Sequence, residues 1–238
     1  MFQHRLKLGV AAVSLAFVAG CGGGTSSTSS SPSSTLAGQS AEQVLAASKK
    51  ALAEAKSVRY RVDGKGDPAD PKSTLTIDVR IAKGKGATGS MAIGGQEMTI
   101  LQVGSDSYLS ADSPFLTSMG MPAGGEKGKW IKSPPQAGGL IAITDIAKSF
   151  DALNTNGATL SLGTPKTVDG RQTVAVVVAP KGDQDGGTLY VAADGPAYPL
   201  LIETKGKKAQ GTLTFTEYDK PVEITAPSPA SIIELPRP

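Results

Sequence analysis

SAEQVLAASKKALAEAKSVRYRVD, Ser40 to Asp63, changes its hydrophobic period part-way along, and that change decides the fold class. Ser40 and Gln43 stand at capping-box spacing, and helix formers run from Glu42 to Lys56. Val44, Leu45, Ala51, Leu52 and Ala55 fall near one face, while Glu42, Lys49, Lys50 and Glu54 fall elsewhere, so the helix needs an apolar surface to lie on. From Val58 the period drops to two. Val58, Tyr60 and Val62 alternate with Arg59, Arg61 and Asp63, the mark of a strand with one dry face.

Going toward the C-terminus, Leu75, Ile77, Val79 and Ile81 alternate with Thr76, Asp78 and Arg80. Gly94 and Gly95 then separate strand-like runs over 87–93 and 96–103. Tyr108 to Leu109 and Lys129 to Lys132 read as short strands, with Phe115, Leu116, Met119 and Met121 as an apolar loop between them. A second helix is expected after Thr144 or Asp145, carried by Ile146, Phe150 and Leu153 and stopped at Asn156 and Gly157. Further strands are expected over 159–162, 171–179, 187–192, 200–204, 210–218 and 222–225, bounded by turns such as Val168-Asp169-Gly170. About ten short strands with two or three helices make an α+β domain. The expected architecture is a single strongly bent antiparallel sheet, a half-barrel, with the helices on its concave face.

Upstream of Ser40 the chain changes character. Arg5 and Lys7, an apolar stretch from Leu8 to Val18 and the small residues Ala19 and Gly20 read as an export signal over 1–20, too short to span a bilayer. The tripeptide ends at Cys21, the one cysteine, which is expected to become an acylated N-terminus. Residues 21–39 are nearly all Gly, Ser, Thr and Pro, a tether that should hold the domain over 40–238 on the order of 25 Å from the membrane. Cleavage takes Arg5 and Lys7 from the 24 basic side chains, leaving 22 against 21 acidic ones, and takes the one histidine, His4. Imidazole bases, histidine metal ligands and thiolate chemistry are thereby excluded from the exported chain, and no cofactor is expected. The near balance of charge with few aromatics argues against nucleic acid. An enzyme would have to run on carboxylates such as Asp106 with Asp112 or Asp183 with Asp185, which sit in Gly-rich turns. No enzymatic activity is expected.

Several pieces in a fixed order carry a resemblance. They are the small-residue tripeptide before Cys21, the capped helix leading into Tyr60-Arg61-Val62, the segment Gly128-Lys129-Trp130-Ile131 before a Pro-rich loop, Asp145-Ile146-Ala147-Lys148, the turn Thr167-Val168-Asp169-Gly170, and the run from Phe215 to Pro227. Together they resemble the LppX/LprG-type lipoproteins of actinobacteria, whose fold is similar to that of the LolA/LolB lipoprotein carriers. The resemblance implies an apolar cavity between sheet and helices, and an acylated lipid or glycolipid carried between the plasma membrane and the outer envelope. Candidate cavity residues are Val58, Tyr60, Val62, Leu75, Ile77, Val79, Met91, Ile93, Met98 and Ile100 from the strands, with Phe115, Leu116, Met119 and Met121 as a mobile lip. The expected partners are that lipid ligand, the plasma membrane through acylated Cys21, which would carry palmitate-type chains on its outer face, and a membrane transporter; the expected state is a monomer. The same residues also fit a filled core, and then the chain is a tethered surface module that senses or regulates a partner protein, with no lipid cargo. Replacing Cys21 with Ala is expected to move the protein from the membrane fraction to the medium on cell fractionation; unchanged membrane retention would overturn the anchor.

Overall fold

The computed structural model describes residues 36–65, 73–118, 128–133, 157–182, 185–206 and 210–233. Helix α1 (Ala41–Glu54) begins as its spacing requires: the Ser40 backbone N–H donates to Gln43 Oε1 at 2.9 Å, and Gln43 N–H donates to Ser40 Oγ at 3.4 Å. It buries Ala41, Val44, Leu45, Ser48 and Leu52, a stripe at three- and four-residue spacing. Leu36, within the stretch expected to be tether, is buried in the core, so the packed unit starts ahead of the helix cap.

Two antiparallel meanders follow. The first runs β1 (Ser57–Lys65), β2 (Thr74–Ala82), β3 (Gly86–Ile93), β4 (Gln96–Val103), β5 (Asp106–Ser110) and, after helix α2 (Ser113–Ser118), β6 (Trp130–Ser133). The second comprises β7 (Leu160–Leu162), β8 (Thr167–Val168), β9 (Arg171–Val178), β10 (Gly187–Ala192), β11 (Pro199–Lys205) and β12 (Gln210–Thr216), with β13 (Ile232–Ile233) last. The strands lie in the order β13-β6-β5-β4-β3-β2-β1-β12-β11-β10-β9-β7, with β8 paired to β9. The result is one large, open, curled sheet, antiparallel except where β13 runs parallel to β6. β1 is the seam, hydrogen-bonded to β2 on one side and to β12 on the other.

Two expectations change, one for a strand and one for a loop. The segment 222–225 enters no ladder, although Val222 and Ile224 are half-buried and Glu223 and Thr225 exposed. Alternation alone does not supply a partner strand, and the chain reaches one only at Ile232 and Ile233, beyond the Pro229–Ser231 turn of 3-10 helix. Phe115 and Leu116, expected on a mobile loop, lie in α2 and are buried. The reason is a cap: the Phe115 N–H donates to Asp112 Oδ1 at 2.9 Å, and Pro114 falls in the first turn, where its missing N–H costs nothing. Met119, Met121 and the helix expected after Thr144 lie outside the described residues.

The turn Val168-Asp169-Gly170 forms as read. Asp169 and Gly170 have φ of 47° and 75°, the paired positive values of the two-residue hairpin turn that joins β8 to β9. Gly89 has a different task. It sits opposite Val79, and a Cβ there would meet the Asp78 carbonyl oxygen and come within 2.7 Å of Val79 Cα. Both obstacles are backbone, so β2 and β3 approach this closely only without a side chain.

The end of β12 locks the covering helix in place. Asp219 accepts the backbone N–H of Lys56 at 2.7 Å and returns its own N–H to Ser57 O at 3.0 Å, while Ser57 Oγ donates to Lys220 O at 2.5 Å. Glu217 and Asp219 reach these positions with φ of 53° and 59°, left-handed values that cost a non-glycine residue about 1 kcal/mol each. Gly89→Ala is expected to lower stability by about 1–3 kcal/mol in urea denaturation; an unchanged midpoint would show that the β2–β3 pair can open at no cost.

Candidate functional site

Cross-strand register turns the alternating residues into rows on one face of the sheet. Phe215, Tyr60, Val79, Gly89, Ile100, Leu109, Ile131 and Ile233 are paired in succession across eight strands. A second row joins Leu213, Val62, Ile77, Met91 and Met98. These rows, the buried stripe of α1 and the α2 pair Phe115 and Leu116 form one continuous apolar cluster. The strand candidates Val58, Tyr60, Val62, Leu75, Ile77, Val79, Met91, Ile93, Met98 and Ile100 are thus gathered on a single face. Met119 and Met121, like Cys21, fall outside the described residues.

Burial grades along this face. Val58, Val79, Met98 and Ile100 are fully covered, Val62 and Leu75 are half-buried, and Ile93 at the β3–β4 turn is 41% exposed. The face therefore runs from a closed end, near the start of β1, to an open rim at the hairpin tips. A hollow of about 500 Å³ lies between the ends of β1, β2, β11 and β12, lined mostly by residues at the alternate, polar positions, among them Asp63, Lys65, Thr76, Glu203 and Lys205, together with Gly64, Gly211 and Leu75. Of the candidates, Leu75 borders it. A second hollow, of about 560 Å³, is bounded by the β3–β4 turn, Asp112 and Trp130 and includes none of them. Burial holds the Tyr60 phenol well above its ordinary range, so it stays neutral on the apolar face.

The opposite face of β1 and β2 is ionic. Arg59 and Arg80 are directly paired across the strands, a repulsive arrangement by itself. Glu217 resolves it by accepting from Arg80 Nε at 2.8 Å and from Arg59 Nη1 at 3.1 Å, while Asp78 takes a two-pronged bond from Arg59. The Arg59 guanidinium holds the Asp78 carboxyl below its usual range, and Arg80 does the same to Glu217. Asp219 is lowered by the Tyr198 hydroxyl, which donates to it at 2.6 Å and is itself pushed up to about 12 by that bond. Around β9–β11 this second face is apolar instead: Val168, Ala175, Tyr190, Ala192 and Leu200 pack together beneath the Tyr198 and Tyr218 rings, stacked at 3.9 Å between centroids.

Two of the carboxylates weighed for catalysis have structural partners. Asp106 pairs with Lys132 at 2.9 Å and Asp112 caps α2; Asp183 lies outside the described residues. Among the described residues no three His, Cys, Asp or Glu side chains gather as a metal ion would require, and no helix is long and apolar enough to cross a membrane. Sequence reasoning passed over Leu109, Ile131, Leu213 and Phe215 as site residues, although each continues a row. It also passed over Ser48, which falls four residues from both Val44 and Leu52 and so belongs to the buried stripe; that spacing was the available signal.

Two mycobacterial proteins have similar folds. LppX, a lipoprotein of Mycobacterium tuberculosis, is 14% identical, with 78% of this chain and 98% of LppX aligned at a TM-score of 0.54. LprF from Mycobacterium bovis is 16% identical over 79% of this chain and 96% of its own, with a TM-score of 0.55. This chain has the LppX/LprF fold. A protein of the LolA superfamily from Nitrosomonas europaea aligns with 78% of the chain at a TM-score of 0.31, a value at which the likeness carries no argument. No protein-family model matches the chain, and neither does any curated protein.

In this example of the LppX/LprF fold, the ionic face and the Asp219 lock make stability depend on acid. The folded-state carboxyls of Asp78, Glu217 and Asp219 lie below their ordinary values of 3.8, 4.5 and 3.8, so their stabilisation is complete above those values and is lost as pH falls through the lowered ones. Stability is expected to drop between about pH 5 and about pH 2, and Asp78→Asn to lessen that drop. Urea midpoints across this window test it; parallel pH profiles for the two proteins would remove Asp78 from the account.

Proposed function

We propose that the protein is a lipoprotein, anchored to the outer face of the cell membrane through acylated Cys21, that binds an acylated lipid or glycolipid and carries it within the cell envelope. In this reading, residues 1–20 are removed as a signal, a tether runs from Cys21 to just before Leu36, and the curled sheet is the half-barrel that holds the cargo. The observation that carries the proposal is the pair of apolar rows, spanning eight strands on one face and ending at an open rim. Hydrocarbon tails need a site of this kind, apolar over a long path with polar groups confined to its mouth. The likeness of fold to LppX, itself a lipoprotein, supports the same reading.

Cargo and anchor are separate claims, and the tether joins them. A domain on a flexible leash can turn its rim toward the bilayer to load and away from it to deliver. No catalytic step is needed for that role, since loading and release follow from relative affinity for the bilayer and the binding face.

The full chain with Cys21→Ala, purified without detergent and extracted with organic solvent, is expected to release lipid in near-stoichiometric amount by mass spectrometry. The stripped protein should melt at a lower temperature than the loaded one and recover when dioleoylglycerol is restored, because a ligand bound at one hundred times its dissociation constant adds about 2.7 kcal/mol. A clean extract, with no thermal response to added lipid, would leave a tethered module that binds a protein partner.

A further inference from the structure

The hollow of about 560 Å³ at the β3–β4 turn draws its walls from the side of the sheet that faces away from the apolar rows. Thr99 is paired with Ser110, Glu97 stands two residues before Thr99, and Trp130 precedes Ile131, the partner of Leu109. Because Ile100, Leu109 and Ile131 share the apolar face, alternation puts these four side chains on the other one. Gln96 and Asp112 complete the border, with Asp112 Oδ1 taken up by the Phe115 N–H. Ser110 is only 8% exposed, and among the described residues its hydroxyl has no hydrogen-bond partner. Ser48 Oγ is sealed off from any ligand, whereas Ser110 borders a hollow of a size that takes a small molecule. Among the described residues the Thr99 hydroxyl, the Glu97 carboxylate and the Trp130 indole N–H also lack partners. Buried polar groups in native proteins are seldom left in that state.

The lining mixes donors with acceptors. The indole N–H and the Gln96 amide donate, the carboxylates of Glu97 and Asp112 accept, and the two hydroxyls do either. A cation would satisfy the carboxylates and leave the donors idle, and a hydrocarbon would leave every one of these groups unpaired. A ring that is apolar on its C–H face and hydroxylated around its edge meets both demands, with the indole as its platform. We infer that this hollow binds a neutral sugar ring, laid against Trp130 and hydrogen-bonded to Ser110, Thr99 and Glu97. The site goes beyond the carrier reading and does not require it, since a sugar reaches the hollow either as a free oligosaccharide or as the headgroup of a glycolipid. A headgroup would come over the β3–β4 turn, where Ile93 marks the exposed end of the apolar face.

Trp130 is the chain's one tryptophan, so tryptophan fluorescence reports on this hollow alone. The full chain with Cys21→Ala is titrated with maltose, trehalose, mannobiose and lactose, and separately with choline chloride as a cation. At least one disaccharide is expected to shift the emission saturably with a Kd on the order of 1 mM, and Glu97→Ala and Ser110→Ala each to weaken it about tenfold. Glu97 is exposed, so its replacement leaves the core untouched. The dodecyl glycoside of the responding sugar, kept below its micelle concentration, separates the two sources: binding at least about tenfold tighter than the bare sugar supports a glycolipid headgroup, and equal binding supports a free oligosaccharide. The sugar site is overturned by an emission unchanged with all four disaccharides up to about 50 mM, by a response to choline alone, or by a sugar response that both substitutions leave intact. None of these results bears on the carrier reading, which the lipid extract tests.

Discussion

Lys56 and Asp219 are 163 positions apart in the chain and are joined by a hydrogen bond of 2.7 Å, and the placement of the covering helix follows from that bond. α1 must turn back over the sheet that begins three residues after it ends, and the angle of that turn is set at Lys56 and Ser57. The end of β12 holds both residues at once through Asp219 and Lys220. Because β1 and β12 are neighbours in the sheet, the same contact closes the two meanders on each other. Joining such distant segments costs chain entropy that grows only slowly with their separation, and the ladder between β1 and β12 repays it with seven paired positions. The left-handed conformations of Glu217 and Asp219 are the local cost of the arrangement.

With the helix held, the two faces of the sheet take on opposite characters. On one, Tyr60, Val79 and Ile100 stand in a row that a 14-residue helix covers only over part of its length, with α1 lying toward β7, β9 and β11 and α2 adding Phe115 and Leu116. On the other, two arginines placed side by side are held by carboxylates from β2 and from the segment after β12. An ionic pattern of this kind contributes little stability per exposed pair, but it keeps that side wet and makes a one-residue slip of register costly. Glycines at close strand approaches, such as Gly89 against Val79 and Gly211 against Gly64, remove the side chains that would keep those strands apart.

In the proposed role, this face takes a ligand that is long, flexible and apolar. The fold it shares with LppX and LprF persists at 14% and 16% identity, so it does not depend on most of the particular side chains.

Much of this was legible in residue order. Period-two alternation located β1 and β2, glycine turns set off β3 and β4, turn residues bounded β9 to β12, and the Ser40–Gln43 spacing located the start of α1. Alternation failed at Val222–Thr225, where the pattern exists and no neighbouring strand does, and at Phe115 and Leu116, where a run too short to show a helical period is made helical by the Asp112 cap. It could not reveal β13, two residues long and paired in parallel with a strand a hundred positions earlier. Local order determines which side of each element avoids water, because that depends on the spacing of neighbouring residues alone. Which strands meet, how far the helices extend over them, and which polar atom is left without a partner inside are settled by contacts between segments far apart in the chain, and those exist only once it is folded.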